Sequence, residues 1–331
     1  MKFFTKIVEF CRVFEKFDEK ITFKFEWIFI IIVDMLDILK AILYGIVEGI
    51  SEWLPISSTG HLIVLDGFLH MEETYPDFWP FFLVVIQLGA ILAIVVNFFS
   101  ELNPFSFKKT KLERNGVFKT WWKIILGVLP CVLVALPYEI FDLDKIFDTS
   151  LVVSLALILY GVVFIFIEKI NIKNQAEFEL SKKLGLRHEN EKYYLYETVE
   201  DLDYKTVLLI GCAQILSLIP GTSRSGVTIL AALLLGASRS CGAKFSFYLS
   251  LPVMVGASAL KLFTFMKTGI TLDLVMWEYL IIGCAVAFLV SLLVINTLMK
   301  FIKKHTFIGF GYYRIALGAL ILILLFTEVI H

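Results

Sequence analysis

The sequence predicts an all-α integral membrane protein with an inverted-topology repeat, in which two re-entrant helical hairpins accompany six transmembrane helices. Three observations lead to this fold class: the composition, six long apolar runs, and two further apolar stretches that are interrupted in the middle. Of the 331 residues, 58% are hydrophobic and 18% are charged, whereas a soluble domain has about 45–50% and about 25%. The formal net charge is -1, so the chain has no basic surplus for a phosphate backbone, and nucleic acid is not an expected partner.

Six apolar runs are long enough to cross a bilayer as helices. A hydrocarbon core of about 30 Å requires about 17–25 helical residues, and a helix satisfies its own backbone hydrogen bonds in lipid. The runs extend over Phe78–Phe99, Trp121–Leu136, Leu151–Ile167, Phe245–Leu260, Tyr279–Met299 and Thr306–Thr327. The second contains one basic residue, Lys123, and the last contains Arg314. We therefore expect six spans.

Two further apolar stretches are broken by proline, glycine and hydroxyl residues. The first, Ile38–Leu69, is interrupted by PISSTGH at 55–61, and the second, Thr206–Gly236, by PGTSRSG at 220–226. Proline ends an incoming helix, and serine or threonine suits the N-cap of an outgoing one. Irregular backbone is tolerated at membrane depth only where it meets protein or a watery cavity. The two stretches are therefore predicted to be re-entrant hairpins that meet at one central site.

The two hairpins also resemble each other in sequence. Gly45-x-x-Glu48 precedes Pro55 and Ser58 much as Gly211-x-x-Gln214 precedes Pro220 and Ser223. One hairpin plus three spans gives each half an odd number of crossings, which makes the repeats inverted in the membrane. The predicted divisions are an amphipathic N-terminal extension at 1–30, a first repeat at 31–170, a polar connector at 171–203 and a second repeat at 204–331.

The charges of the loops predict an orientation. Lysine and arginine concentrate at 100–123, 239–244 and 300–304, whereas 137–150 is mostly acidic. Because cytoplasmic loops carry the excess of basic residues, we expect the basic segments inside and the acidic segment outside. The protein is then a multi-pass protein of the plasma membrane whose site opens to the outer face. The first hairpin would enter from that face and the second from the cytoplasm.

Arg224 is the only charged residue of the second interrupted stretch. An arginine at a bilayer centre costs about 2.5–3.5 kcal/mol on insertion scales, so it requires compensation. Ser223, Ser225 and Thr228 supply hydroxyls near the predicted helix start, and this combination is typical of phosphate binding by a guanidinium fork and a helix N terminus. The alternative is that Arg224 only pairs with an acid of the other half to stabilise the fold.

Glu48 and Glu52 are four residues apart and therefore project from one face of the incoming helix. Two carboxylates repel each other unless a cation or a proton lies between them. The pair predicts either a hard divalent metal or a carboxylic acid whose pKa is raised. The alternative is that one of them simply forms a salt bridge with Arg224, and both interpretations can hold together.

Ser58 is followed three residues later by His61, on the same side of the predicted outgoing helix. A serine beside a histidine is a minimal nucleophile and proton-transfer pair. Ser57 and Thr59 flank this serine and are candidates to bind the ligand. The alternative is that the Ser-Ser-Thr run only caps the helix. Gln87, within the least polar span, is a further candidate to bind the ligand, although packing between helices explains it equally well.

The interrupted segments resemble those of a known family. Residues 48–61, EGISEWLPISSTGH, resemble the E-x-x-x-E plus P-x-S-S-T-G-H segment of bacterial undecaprenyl-diphosphate phosphatases, the BacA/UppP type named for bacitracin resistance. Residues 220–228, PGTSRSGVT, resemble the P-G-x-S-R-S-G-x-T segment of the same family. The likeness extends from about Leu39 to the C terminus and includes VIQLG at 85–89. It does not cover the start of the chain or much of the connector around 175–196.

The resemblance implies hydrolysis of undecaprenyl diphosphate to the monophosphate, which recycles the lipid carrier for cell-wall synthesis. Carried over by position, it implies that Glu48 and Glu52 bind a divalent metal, Mg²⁺ or Ca²⁺, and water. It also implies a nucleophilic Ser58 with His61 as its proton-transfer partner, and a diphosphate clamp formed by Arg224 with Ser223, Ser225 and Thr228. Direct attack by a metal-activated water would use the same residues. Membrane lipids are the expected surroundings, and a homodimer is left open.

The alternative function is a polyprenyl-phosphate flippase or transporter, because inverted repeats with broken helices are typical of transporters. A flippase needs a clamp for the lipid phosphate but neither a nucleophile nor a pair of carboxylates. The glutamates, Ser58 and His61 together therefore favour catalysis.

Overall fold

The structure is a computed structural model that describes residues 36–330 except 142, 148, 268, 270 and 271. The amphipathic extension predicted at 1–30 lies outside the described residues. Within them the chain forms helices joined by turns, with one isolated β-bridge between Tyr196 and Ala237. The all-α class is therefore confirmed.

The principal helices occur in the order that the sequence predicts. They are α1 (36–51), α2 (Ser58–Leu69), α3 (Trp79–Asn97), α4 (Lys111–Ile140), α5 (Ser150–Lys183), α6 (Tyr204–Gln214), α7 (Arg224–Leu234), α8 (Arg239–Lys267), α9 (Leu274–Phe301) and α10 (Ile308–Phe326). Single helical turns occur at Met71–Thr74, Phe99–Leu102 and Asp144–Phe147, and a 3₁₀ turn at Ile215–Leu218 follows α6. In the described part of the chain, six helices (α3, α4, α5, α8, α9 and α10) are long and apolar enough to cross a membrane. This confirms a multi-pass membrane protein.

The two pairs of shorter helices lie where the interrupted stretches predict hairpins. Helix α7 has 11 residues, and at about 1.5 Å per residue it covers about half of a hydrocarbon core of about 30 Å. Helix α2 has 12 residues and is similarly short. Each pair therefore turns back within the protein, and the breaks fall at 52–57 and 215–223, as predicted from the proline and hydroxyl residues.

Helix α5 continues well beyond the apolar run that ends at Ile167. It ends at Lys183 and so takes in the first part of the range predicted as a polar connector, 171–203. Residues 168–183 are rich in Lys and Glu, which are good helix formers in water. An apolar run indicates only the part of a helix that lies in lipid. The helix is therefore longer than the membrane span predicted from the run. The remaining segment, 184–203, is anchored to the turn after α7 by a 2.9 Å hydrogen bond from Leu195 N to Gly236 O.

The hairpins pack against the spans of opposite halves in a reciprocal way. A Cβ on Gly45 of α1 would lie 2.6 Å from the carbonyl oxygen of Gly283 in α9. A Cβ on Gly211 of α6 would lie 2.2 Å from the carbonyl oxygen of Gly127 in α4. The first helix of each half therefore touches the fourth helix of the other half, backbone against backbone, as small residues allow in membrane proteins.

The backbone corrects the correspondence between the two hairpins. Ser57 and Ser223 both have left-handed backbone angles, with φ of 72° and 67°, and each is the residue before its outgoing helix. Aligned on Pro55 and Pro220, the two sequences pair Ser58 with Ser223 instead. That pairing is wrong by one residue because the second break has one more residue between its proline and its outgoing helix.

The segments predicted to be cytoplasmic lie together at one end of the molecule. The guanidinium of Arg239 binds both carboxylate oxygens of Glu168, at 2.8 and 2.6 Å, and Phe307 N donates to the same carboxylate at 3.0 Å. Lys123 Nζ donates to the carbonyl oxygen of Glu200 at 2.6 Å. These contacts join the starts of α8 and α10, the connector and the basic end of α4. Helix α4 then carries the chain to the opposite end, where the acidic 137–150 segment begins.

Candidate active site

The tips of the two hairpins touch at the centre of the molecule. The hydroxyl of Ser225 lies 3.4 Å from the carbonyl oxygens of both Glu52 and Leu54. Both outgoing helices, α2 and α7, begin at these tips, after Ser57 and Ser223. A left-handed conformation costs a serine of the order of 1–3 kcal/mol and persists only where the surrounding structure enforces it. The positive φ shared by Ser57 and Ser223 therefore indicates that the surrounding structure holds both tips in a defined conformation.

Glu52 links the nucleophile candidate to the arginine. Its Oε1 accepts a hydrogen bond from Arg224 Nη2 at 2.8 Å, and its Oε2 accepts one from the Ser58 hydroxyl at 2.9 Å. The two charged side chains are 9% and 10% exposed, so each relies on the other for its compensation. The ion pair expected as an alternative role of Arg224 and Glu52 is present, and it lies directly beside Ser58.

The rest of the Arg224 guanidinium is held by helix α8. Nη1 donates to the carbonyl oxygen of Ser246 at 3.0 Å, and Nη2 lies 3.4 Å from Met254 Sδ. Thr228 donates to Ser246 Oγ at 2.7 Å and is fully buried. Thr228 therefore supports the scaffold behind the arginine, which differs from the ligand contact predicted for it.

A cavity of about 790 Å³ opens beside this network. Its polar wall contains most of the predicted site residues, namely Glu52, Ser57, Ser58, Thr59, Gln87, Ser223, Arg224 and Ser225. Its other walls are mainly apolar and come from the later part of α4, including Val132 and Leu136, and from α8, including Leu260 and Phe263. A polar floor with apolar walls suits an amphiphile whose charged head lies deep and whose tail leaves between helices.

His61 lies away from this cavity, on the other side of the first hairpin. Its Nδ1 is 2.7 Å from the carbonyl oxygen of Ser57, and its Nε2 is 2.8 Å from the hydroxyl of Tyr313 in α10. Both ring nitrogens thus have partners other than Ser58. The close pairing of Ser58 with His61 that the sequence predicts is not the arrangement in the structure, where the Ser58 hydroxyl faces Glu52 instead.

Glu48 is buried one helical turn before Glu52, and among the described residues its Oε1 has no hydrogen-bond partner. A buried carboxylate oxygen without a partner is costly unless a proton or a cation compensates it. The described residues contain no group of three or more His, Cys, Asp and Glu side chains that could hold a metal. Magnesium, however, is commonly held by one or two carboxylates together with substrate phosphates. The partnerless oxygen of Glu48 and the carboxylate of Glu52 would suit such a cation.

Arg314 is a site residue to which the sequence analysis assigned no role. It is fully buried in α10 and donates to the carbonyl oxygens of Pro55, Gly221 and Thr222 at 3.2, 2.9 and 3.0 Å. One side chain thus binds the tips of both hairpins. The sequence does contain a signal, because an arginine alone in an apolar span is a functional or structural candidate by default.

Comparisons with known proteins identify a family for this chain. Residues 41–320 match the family described as bacitracin resistance protein BacA. An undecaprenyl-diphosphatase of Limosilactobacillus fermentum is 47% identical over 288 residues, which are 87% of this chain and 97% of that protein. An undecaprenyl-diphosphatase of Enterococcus faecalis is 45% identical over 295 residues, 88% of this chain and 98% of its own length. Another, from Acetivibrio thermocellus, is 45% identical over 89% of this chain and 100% of its own length.

The family match at 41–320 includes both hairpin breaks, every predicted site residue and the six long helices up to residue 320 of α10. The identities of 45–47% extend over nearly the whole of each relative. The motifs at 48–61 and 220–228 fall within the matched region. The chain therefore belongs to the bacitracin resistance protein BacA family.

Proposed function

We propose that this protein hydrolyses undecaprenyl diphosphate to undecaprenyl phosphate and inorganic phosphate, and so returns the lipid carrier to cell-wall synthesis. The observation that carries the proposal is the contact of Ser58 and Arg224 with one carboxylate, Glu52, on the floor of an apolar-walled cavity. The relatives named undecaprenyl-diphosphatase support the same activity.

In the proposed reaction Arg224 binds the diphosphate, because a guanidinium fork matches phosphate oxygens in geometry and charge. Ser223, Ser225, Ser57 and Thr59 surround the same cavity floor and donate hydrogen bonds to the remaining phosphate oxygens. Glu52 accepts the Ser58 proton while Ser58 Oγ attacks the terminal phosphorus. The bond from that phosphorus to the bridging oxygen breaks, and undecaprenyl phosphate leaves. Water then attacks the phosphorus of the phosphoserine, the bond from phosphorus to Ser58 Oγ breaks, and Ser58 Oγ takes back the proton held by Glu52 as inorganic phosphate leaves.

A water molecule can also attack the terminal phosphorus directly, with Glu52 as its base and no phosphoserine. Trapping of labelled phosphate on the protein distinguishes the two routes. If Ser58 is the nucleophile, Ser58→Ala should abolish the label. If water attacks directly, Ser58→Ala should still hydrolyse the substrate slowly.

The proposal includes a divalent cation, Mg²⁺ or Ca²⁺, held by Glu48 and Glu52 together with the substrate. When bound it would neutralise part of the diphosphate charge. The support is the buried Glu48 oxygen without a partner, one turn from Glu52.

We also propose that the cavity opens to the outer face of the plasma membrane. Its walls at 131–138 and 252–263 run towards the end opposite the lysine- and arginine-rich segments, and basic segments favour the cytoplasmic side. A diphosphate lipid left on the outer leaflet after its cargo has been used would enter from this side. A homodimer stays a prediction, which cross-linking of the protein in native membranes would test.

Hydrolysis explains the site better than transport of a lipid phosphate. A flippase would need Arg224 and the surrounding hydroxyls, but it has no use for a serine hydroxyl aligned on a carboxylate. The deciding experiment is phosphate release from a C55 diphosphate by the purified protein, with and without a chelator. Transport without phosphate release would reject the proposal.

A further inference from the structure

We propose that Tyr313 is a positioning residue for the phosphatase reaction, and that His61 transmits its effect to Ser58 as a fixed hydrogen-bond donor. The inference rests on the proposed function. It assigns to His61 a role different from proton transfer with Ser58, and it adds a tyrosine from the last span to the residues that shape the site.

The two hydrogen bonds of His61 determine its tautomer. The Ser57 carbonyl oxygen can only accept, so the ring carries a proton on Nδ1, 2.7 Å away. In the neutral ring Nε2 is then an acceptor, and the Tyr313 hydroxyl donates to it at 2.8 Å. The hydrogen bond at one ring nitrogen sets which nitrogen is protonated. Tyr313 therefore keeps the Nδ1–H of His61 directed at Ser57.

The Ser57 carbonyl belongs to the peptide that joins Ser57 to Ser58. A hydrogen bond to this oxygen therefore fixes the orientation of the peptide plane that precedes Ser58. This peptide follows a residue with φ of 72°, a conformation that needs external support. The second hairpin supplies that support differently, because Ser223 Oγ accepts a hydrogen bond from Gly226 N at 3.2 Å. Ser57 makes no such side-chain cap bond in the described structure.

Among the described residues, the first hairpin lacks the serine cap of the second hairpin and has the His61 imidazole in its place. Ser57 lines the reaction cavity, and in the described part of the chain its hydroxyl is not engaged in a cap bond with its own helix. With His61 holding the Ser57 carbonyl, the Ser57 hydroxyl stays available to the ligand, and the Ser58 hydroxyl stays on Glu52. The imidazole thus replaces the missing cap.

Tyr313 acts from outside the reaction cavity. It lines a separate apolar cavity of about 400 Å³, together with Ile50, Leu54, Ile56 and residues of α9 and α10. The tip of the first hairpin lies between the two cavities. His61 stacks on the Tyr313 ring with centroids 5.5 Å apart and planes inclined by 9°. A substrate bound in the first cavity would not touch Tyr313, so any effect of this residue on turnover must pass through His61.

Two pairs of variants test the proposal. Tyr313→Phe removes only the hydroxyl and should lower kcat by about threefold to tenfold with little change in KM, the factor expected when one neutral hydrogen bond is lost. The matched control is Tyr312→Phe at the exposed neighbour, which should behave as wild type. His61→Asn keeps an N–H donor near the place of Nδ1 but cannot transfer a proton as imidazole does, so it should retain kcat within about threefold of wild type. His61→Ala should lose clearly more.

Nitrogen-15 spectra of histidine-labelled protein give an independent readout. His61, assigned through His61→Asn, should show the Nδ1–H tautomer in the wild type and a shift towards Nε2–H in Tyr313→Phe. Equal loss of kcat in His61→Asn and His61→Ala would assign proton transfer to His61 and overturn the proposal. Wild-type kcat or an unchanged tautomer in Tyr313→Phe would also overturn it. Failure of the proposed function is distinguishable, because the wild type itself would then release no phosphate.

Discussion

Removal of the Arg224 guanidinium should lower both the stability of the protein and its turnover. Arg224→Ala leaves Glu52, which is 9% exposed, as a buried carboxylate without its ion-pair partner. Removing one partner of such a pair typically costs about 3–5 kcal/mol of stability. Turnover should fall by at least about 10²–10³, the usual effect of losing one donor that stabilises transition-state charge.

The double variant Arg224→Met with Glu52→Gln separates these two losses. It removes both charges together, and replacing a whole buried pair with neutral groups is often neutral or stabilising. The thermal midpoint should therefore return towards that of the wild type. Phosphate release should stay low, because neither the clamp nor the proton acceptor for Ser58 is restored.

The matched control is Arg239→Ala. It breaks a comparably buried pair, with Arg239 13% and Glu168 0% exposed, at the end of the molecule away from the cavity. We expect a lower thermal midpoint but near-normal turnover per folded molecule. Thermal unfolding and phosphate release from a C55 diphosphate are measured on the same preparations. Recovered turnover in the double variant, or near-normal turnover in Arg224→Ala, would refute the catalytic role of this pair.

Three further predictions concern the metal, the tips and the orientation. Glu48→Gln should weaken the dependence of activity on Mg²⁺ or Ca²⁺, measured as phosphate release against metal concentration, because it removes a charge from the proposed cation site. Arg314→Met should lower the thermal midpoint and turnover together, since three tip carbonyls lose a charged donor and each such bond contributes about 1.5–3 kcal/mol. In intact cells, an impermeant thiol reagent should label a single cysteine introduced at the exposed Phe141 but not one at the exposed Phe107.

Each of these has an outcome that contradicts it. For the metal, Glu73→Gln changes an exposed carboxylate as a control, and an unchanged metal curve in Glu48→Gln would leave Glu48 with a purely structural or proton-holding role. An Arg314→Met protein with normal stability would mean that the tips hold together without Arg314. Labelling at position 107 alone would place the cavity mouth on the cytoplasmic side.

The sequence predicts the parts of this fold that depend on local chemistry. Apolar length identifies the six spans, and Pro55 and Pro220 with their hydroxyl neighbours locate both hairpin breaks. The cost of a charge in lipid correctly predicts that Arg224 needs an acid from the other half. It does not by itself select between Glu48 and Glu52. The structure selects Glu52, which occupies the turn after α1 and so reaches the second tip.

Contacts between distant segments are not predictable from local pattern. His61 and Tyr313 are 252 positions apart, and Arg314 binds carbonyl oxygens, which every residue has and which therefore leave no mark in the sequence. The pairing of Ser58 with His61 followed from helical spacing alone. In the structure the Ser57 carbonyl oxygen and the Tyr313 hydroxyl form hydrogen bonds with the two ring nitrogens of His61.

The reciprocal packing of the hairpins has a consequence for how the protein is made. Glu52 is synthesised 172 positions before Arg224, and at about 5–20 residues per second the ribosome needs roughly 9–34 s to bridge that interval. During this time α1 also lacks Gly283, its backbone contact in the second half. The first hairpin is thus synthesised before either its counter-charge or its packing surface exists. Its burial at depth is a late event of biogenesis, completed only when the second half has been inserted.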